Sequence, residues 1–265
     1  MNTYPRVTEI VQAKDEGERI KLIKKREAWN KRYDKGLETE TWDEYCDRRK
    51  SEGTEIHLIA YTYLVFKLGV LLNTYALSLV DFRLALFFSP KFTYTLTSHV
   101  QKIPAYWFPL QQQLDQIGGV PVGLEQQIVH EGLKYRGTYD IRLFFPESDR
   151  YALLDLKTCE KGTWDTTWQM WKKPKKGEQR EWTFEWLSYK PRDAMLQCAL
   201  YKLASDAADN PIHEIWVLVS APGGCQLIEL RAEWWIDCVG LAVSKVREFH
   251  EKKKKAEKVP AEVPF

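Results

Sequence analysis

Apolar positions in the first fifty residues fall at roughly helical spacing, at Ile10, Val11, Ile20, Ile23, Ala28 and Tyr33. They sit in a run that is charged, aromatic and poor in glycine, which predicts one or two amphipathic helices between residues 5 and 50. A second helical region is predicted from about Thr54 to Phe88, closed by Pro90, because a proline inside a helix removes a hydrogen bond. The texture changes after Gly118-Gly119. VGLEQQIVHEGLKYRGTYDIRLFF and YALLDLKT read as short β segments with Pro146-Glu147-Ser148-Asp149 as the turn, so three neighbouring strands are expected. A helix from about Arg192 to Ala208 follows. Strands at His213 to Ser220 and Gln226 to Leu230 then flank the turn Pro222-Gly223-Gly224, and a last helix begins at Glu233. The order of elements predicts an α/β protein with a helical N-terminal portion.

Composition bounds this picture. With 265 residues, 44% of them apolar, the chain can bury the core of one large or two small domains, which argues against disorder. The 39 Lys and Arg face 37 Asp and Glu, a formal net charge of +2, so net charge alone announces no nucleic-acid partner and local clustering has to carry that argument. Cys46, Cys159, Cys198, Cys225 and Cys238 are odd in number, widely spread and without a close C-x-x-C pair. They fit buried small hydrophobes in a reducing cytoplasm better than a disulfide or zinc framework. The N-terminus shows no apolar segment before a small-residue cleavage site, so no secretion signal is expected. Leu58 to Val80 has the length of a bilayer span, but Lys67 near its middle would cost on the order of 3 kcal/mol, and no membrane association is expected.

The chemistry sits in the β region. Asp155 and Lys157 are two apart on a predicted strand, so their side chains leave the same face. Asp140 lies in the neighbouring hairpin strand, where it can meet Asp155 across the sheet, with Glu125 upstream and Gln197 and Tyr201 on the following helix. Carboxylates gathered beside one ammonium suit phosphodiester hydrolysis. Their hard oxygens bind Mg²⁺, and a nearby lysine orients or deprotonates water or acts as fixed positive charge. The bland alternative, a structural ion pair, is disfavoured because ALLDLKT embeds both charges in apolar sequence, where they need a partner or a metal.

GTYD, DLK and the Gln197-Cys198-Ala199-Leu200-Tyr201 segment resemble motifs of the RecB-type branch of PD-(D/E)XK nucleases, and Gly53-Thr54-Glu55-Ile56-His57 is similar to that branch's helical histidine motif. Glu125-Gln126-Gln127 followed by HEGLKYRG looks closest to mitochondrial genome-maintenance exonucleases and their phage relatives, which cut single-stranded DNA from its ends. The resemblance spans roughly residues 51 to 206 and is strongest from Glu125 to Thr158 and from Gln197 to Tyr201. It implies a restriction-endonuclease-like core, a central mixed β-sheet flanked by helices. His57, Asp140, Asp155 and the Leu156 carbonyl would be metal ligands, Lys157 catalytic, and Glu125, Gln197 and Tyr201 part of the catalytic neighbourhood. Mg²⁺ is the implied metal, with Mn²⁺ able to substitute, and no iron–sulfur cluster is expected because Cys225 and Cys238 are too far apart for that pattern. DNA is the implied partner, with unspecified replication or recombination proteins, in the cytoplasm of a bacterial or phage-infected cell.

Other readings stay open on residues alone. His57 could be an ordinary half-buried histidine, His130 structural or DNA-facing, and Gln197 with Tyr201 ordinary helix packing. Trp164, Trp168, Trp171, Lys172, Lys173, Lys175, Lys176 and Arg180 fall in a tryptophan- and lysine-rich insertion, 161–190. Rings among cations suit base stacking and phosphate contact on single strands, or else the rings pack inward and the lysines solvate a loop. The organisation expected is a helical portion at 1–118 carrying the histidine, a nuclease core at 119–251 and a basic flexible tail at 252–265. The implied activity is exonucleolytic. An endonuclease with the same metal site and a non-catalytic DNA-binding protein are the rivals.

Overall fold

The computed structural model describes residues 4–13, 16–72, 103–159, 175–177, 179, 184, 187 and 189–257. Four helices precede the sheet: α1 (Val7–Val11), α2 (Glu16–Tyr33), α3 (Trp42–Leu72) and α4 (Ile103–Ile117). Strands β1 (Val120–His130), β2 (Tyr135–Phe145) and β3 (Arg150–Thr158) follow, then helix α5 (Tyr189–Asp206), strands β4 (Glu214–Ala221) and β5 (Gly224–Glu229), and helix α6 (Trp235–Glu257). The five strands lie side by side in chain order, antiparallel except for the β3–β4 pair, which α5 connects as a parallel crossover. The fold is mixed α/β, a mixed sheet flanked by helices, as the order of elements predicts.

Each face of the sheet has its own apolar layer. Leu153, Val217 and Val219 pack with α5, α6 and the Val7, Ile10 and Val11 side of α1. On the other face Ile141, Leu154, Leu156 and Leu218 pack with Ile56, Ala60 and Leu64 of α3 and with Leu110 and Leu114 of α4. Of the helices before Gly118, α1 joins one layer and α3 and α4 the other.

Local chemistry explains several boundaries. Helix α3 starts twelve residues before the predicted Thr54, because Thr41 and Glu44 form a capping box: Thr41 N–H donates to Glu44 Oε2 at 2.8 Å, and Glu44 N–H to Thr41 Oγ1 at 3.3 Å. The predicted end of that region, Phe88 to Pro90, lies outside the described residues. Pro109 inside α4 frees the Ala105 carbonyl four residues earlier, and this carbonyl accepts the Gly223 N–H of the β4–β5 turn at 2.8 Å. Lys252 to Lys255 correct the predicted tail: they are exposed but helical, since α6 runs to Glu257. No described helix is long and apolar enough to cross a membrane.

Candidate active site

The site forms where the sheet's alternation slips. Along β2, Tyr135 and Tyr139 belong to the α5 layer, whereas Ile141 and Leu143 belong to the α3–α4 layer. All four are odd-numbered, so a regular strand would place them on one face. In β1 the same change separates Leu124 from Ile128. The pairings Leu124↔Ile141 and Gln126↔Tyr139 set Glu125 opposite Asp140 at this rung, and Glu125 has the left-handed φ of 48°. A non-glycine residue in that region carries strain of about 1–2 kcal/mol, which is retained where the surroundings over-determine it.

Asp140 also lies one rung beyond the last β2–β3 pair, Ile141↔Leu154, and so faces Asp155. Its Oδ2 accepts the Leu156 N–H at 2.6 Å. Helix α3 crosses above and brings His57 Nδ1 to 3.5 Å from Asp140 Oδ1 and 3.8 Å from Glu125 Oε1. Ligand-type atoms of His57, Glu125 and Asp140 lie within 4.8 Å of one another. Asp155 is 1% exposed, and the Lys157 ammonium pairs with it, Nζ standing 2.6 Å from Oδ2. Lys157 Nζ also donates to Gln197 Oε1 at 3.3 Å, and Gln197 Nε2 donates to Tyr201 Oη at 2.6 Å.

These groups set one another's charge. Burial pushes the Asp155 carboxyl up to about 6, reinforced by the Asp140 charge and opposed by Lys157 and His57. For Asp140 burial acts upward as well, but His57 and Lys157 outweigh it and hold the carboxyl below its usual range. Burial would lower His57, yet Asp140, Glu125 and Asp155 raise it to about 10. Lys157 is likewise lifted by Asp155 and Asp140 against burial, so its ammonium is kept charged.

A stability profile follows. A histidine raised from 6.5 to about 10 on folding contributes stability that is complete below pH 6.5 and lost as pH rises towards 10. Raised Asp155 acts in the same sense at lower pH, between its usual value of 3.8 and about 6. In EDTA, the melting temperature is expected to fall by on the order of 10 °C between pH 6.5 and 10. His57→Gln should flatten this fall; an unchanged slope in the variant would rule out His57 as its source.

Most predicted site residues converge. His57, Glu125, Asp140, Asp155, Lys157, Gln197 and Tyr201 form one connected cluster, with Glu125 rather than Asp155 in the compact trio. Leu156 joins through its N–H. Tyr201, 2% exposed, accepts the Gln197 amide N–H at its Oη. His130 lies apart: its Nδ1 accepts the Leu133 N–H in the β1–β2 turn. In the insertion, Lys175 and Lys176 are exposed, whereas Trp164, Trp168, Trp171, Lys172, Lys173 and Arg180 lie outside the described residues.

No family model and no curated protein matches this chain. Among solved structures it resembles a protein of Eubacterium rectale described as a candidate exonuclease, with a TM-score of 0.42 and 10% identity over 81% of this chain and 77% of that one. It also resembles the protein SSO0001, with a TM-score of 0.30 and 13% identity over 72% of this chain and 86% of that one.

Proposed function

We propose that this chain is a metal-dependent deoxyribonuclease of the PD-(D/E)XK type, an exonuclease acting on single-stranded or end-frayed DNA. The observation that carries the reading is the buried Asp155 carboxylate beside His57, Glu125 and Asp140, drawn from three elements. Three carboxylates gathered against one ammonium and one imidazole leave an excess of negative charge that a divalent ion would offset.

The donor set fits a hard divalent ion: carboxylate oxygens from Glu125, Asp140 and Asp155 with one imidazole nitrogen from His57, suited to Mg²⁺ or Mn²⁺. Such an ion supplies Lewis acidity at the phosphate and eases loss of a proton from water. His57 and Asp140 would hold it, with His57 giving up its proton on binding. The Lys157 ammonium, fixed between Asp155 Oδ2 and Gln197 Oε1, would place positive charge against the developing negative charge of the phosphate. Tyr201 would act through Gln197 by fixing its amide.

Exonuclease action is tested with end-labelled linear and circular single-stranded DNA, each with Mg²⁺ and with EDTA. Loss of the linear strand alone, in Mg²⁺ alone, is expected. Cleavage of the circle would replace the reading by an endonuclease, and binding without cleavage of either under any divalent ion would replace it by a non-catalytic DNA-binding protein.

A further inference from the structure

Helix α2 is exposed almost throughout. An ordinary surface helix buries an apolar stripe against the core, but from Gly17 to Tyr33 only Trp29 and Asn30 are even half-buried. These two fasten it to the start of α3. The Trp29 ring meets Trp42 and Tyr45 at centroid distances of 5.6 and 4.9 Å, and Trp42 N–H donates to Asn30 Oδ1 at 2.9 Å. Arg26 adds a pair with Asp43.

The rest of the helix carries a cationic stripe. Lys21, Lys24, Lys25, Ala28, Lys31 and Arg32 follow the spacing of one helix face, and all six are exposed. The carboxylate in this stretch, Glu27, precedes Ala28 by one residue and so leaves the helix about 100° away. Among the described residues none of the four lysines pairs with a carboxylate, whereas Arg32 pairs with Glu38 and Lys25 Nζ lies 5.1 Å over the Trp42 ring. Lysines on a merely solvated helix are commonly interleaved with acids three or four residues away, and like charges at that spacing repel. A polyanion laid along the stripe would remove the repulsion.

Length and place fit a nucleic-acid strand. Lys21 to Lys31 spans about 15 Å at ~1.5 Å per residue, the length of about four stacked phosphates. Asp43, at the anchored end, precedes His57 by 14 residues on α3. That separation is about 21 Å, or roughly six stacked nucleotides. The half-buried rings of Trp29, Trp42 and Tyr45 border the stripe, which suits bases free to stack. An anionic membrane fits less well: the exposed Ile20 and Ile23 it would need share their face with Glu27, seven and four residues on.

We propose that the Lys21–Lys31 face of α2 is a docking surface for the phosphate backbone of single-stranded DNA, holding the strand away from the bond that reaches His57, Asp140 and Asp155. The placement of that bond rests on the nuclease reading; the docking surface has its own test.

A fluorescent oligothymidylate of about 25 nucleotides, long enough to cover both places, is titrated in EDTA across a salt series. The proteins are the wild type, the triple variant Lys21→Gln, Lys24→Gln, Lys31→Gln, the same triple to Arg, and a control of equal charge change on α6, Lys252→Gln, Lys253→Gln, Lys254→Gln. Lys25 is kept because it packs over Trp42. The α2 glutamine triple is expected to bind about tenfold or more weakly, with a log–log salt slope shallower by about 2, at ~0.7 per phosphate contact. The arginine triple should bind like the wild type, the α6 control should lose less than twofold, and circular dichroism and melting should match across all four. Unchanged affinity and slope in the α2 glutamine triple overturn the docking surface even if the wild type cleaves DNA. Equal weakening in the α6 control also overturns it, because net charge would then be the cause. Binding to phosphatidylserine vesicles that the α2 glutamine triple loses, with DNA affinity unchanged, overturns it in favour of a membrane contact. Weakened DNA binding in a protein that cleaves nothing with Mg²⁺ leaves the docking surface standing and sinks the nuclease reading instead.

Discussion

Asp140→Asn is expected to slow DNA cleavage by about 10³-fold or more while the protein stays folded. Asparagine keeps an oxygen to accept the Leu156 N–H, so the tie between β2 and β3 at this rung is retained. The carboxylate's charge is lost, and with it one oxygen ligand beside His57 and Glu125. Metal and charge at a phosphoryl centre provide several kcal/mol of transition-state stabilisation, and each ~1.4 kcal/mol is a factor of ten in rate. Fold retention is checked by circular dichroism and melting, with a change of no more than about 5 °C expected. A fall in rate of less than tenfold in a well-folded variant would remove Asp140 from the chemistry.

Gly137→Ala is expected to be the most damaging small substitution for stability. An added Cβ would stand 2.5 Å from Tyr201 Cε1 and 3.1 Å from Val7 Cγ2. The ring has nowhere to go: Tyr201 is 2% exposed and tied to Gln197, and Val7 is fully buried. Overpacking of this kind costs about 1–3 kcal/mol. At about 2–4 °C per kcal/mol in a chain of this size the melting temperature should fall by roughly 5–10 °C. Because Tyr201 positions Gln197 against Lys157, activity below the melting range should fall too. In a double-mutant cycle with Tyr201→Leu the losses should be less than additive; strict additivity would show that the ring is not the obstacle.

Much of the site was legible because strand periodicity is simple. Two-residue spacing in ALLDLKT puts Asp155 beside Lys157, and a turn at Pro146 to Asp149 fixes a register in which Asp140 faces Asp155. Gln197 and Tyr201, four apart, share a helix face. The slip at Glu125 and Asp140 was not legible: Tyr139, Ile141 and Leu143 alternate perfectly in sequence, and only the packing of two layers shows that the first faces α5 and the others α3 and α4. Glu125 therefore read as an auxiliary residue, although its left-handed backbone brings it into the compact trio. The early start of α3 did have a sequence signal, Thr41-x-x-Glu44. The carbonyl freed by Pro109 had none as to its partner, since Gly223 is a long-range contact.

The central claim, metal-dependent phosphodiester hydrolysis at this cluster, is tested most directly with Asp155→Asn. End-labelled linear single-stranded DNA is incubated with wild type and variant, purified side by side, in Mg²⁺ and in EDTA. Degradation by the wild type in Mg²⁺ alone, with the variant inert in both, is the predicted result. Degradation that survives EDTA, or that the folded variant carries out at the wild-type rate, would contradict it.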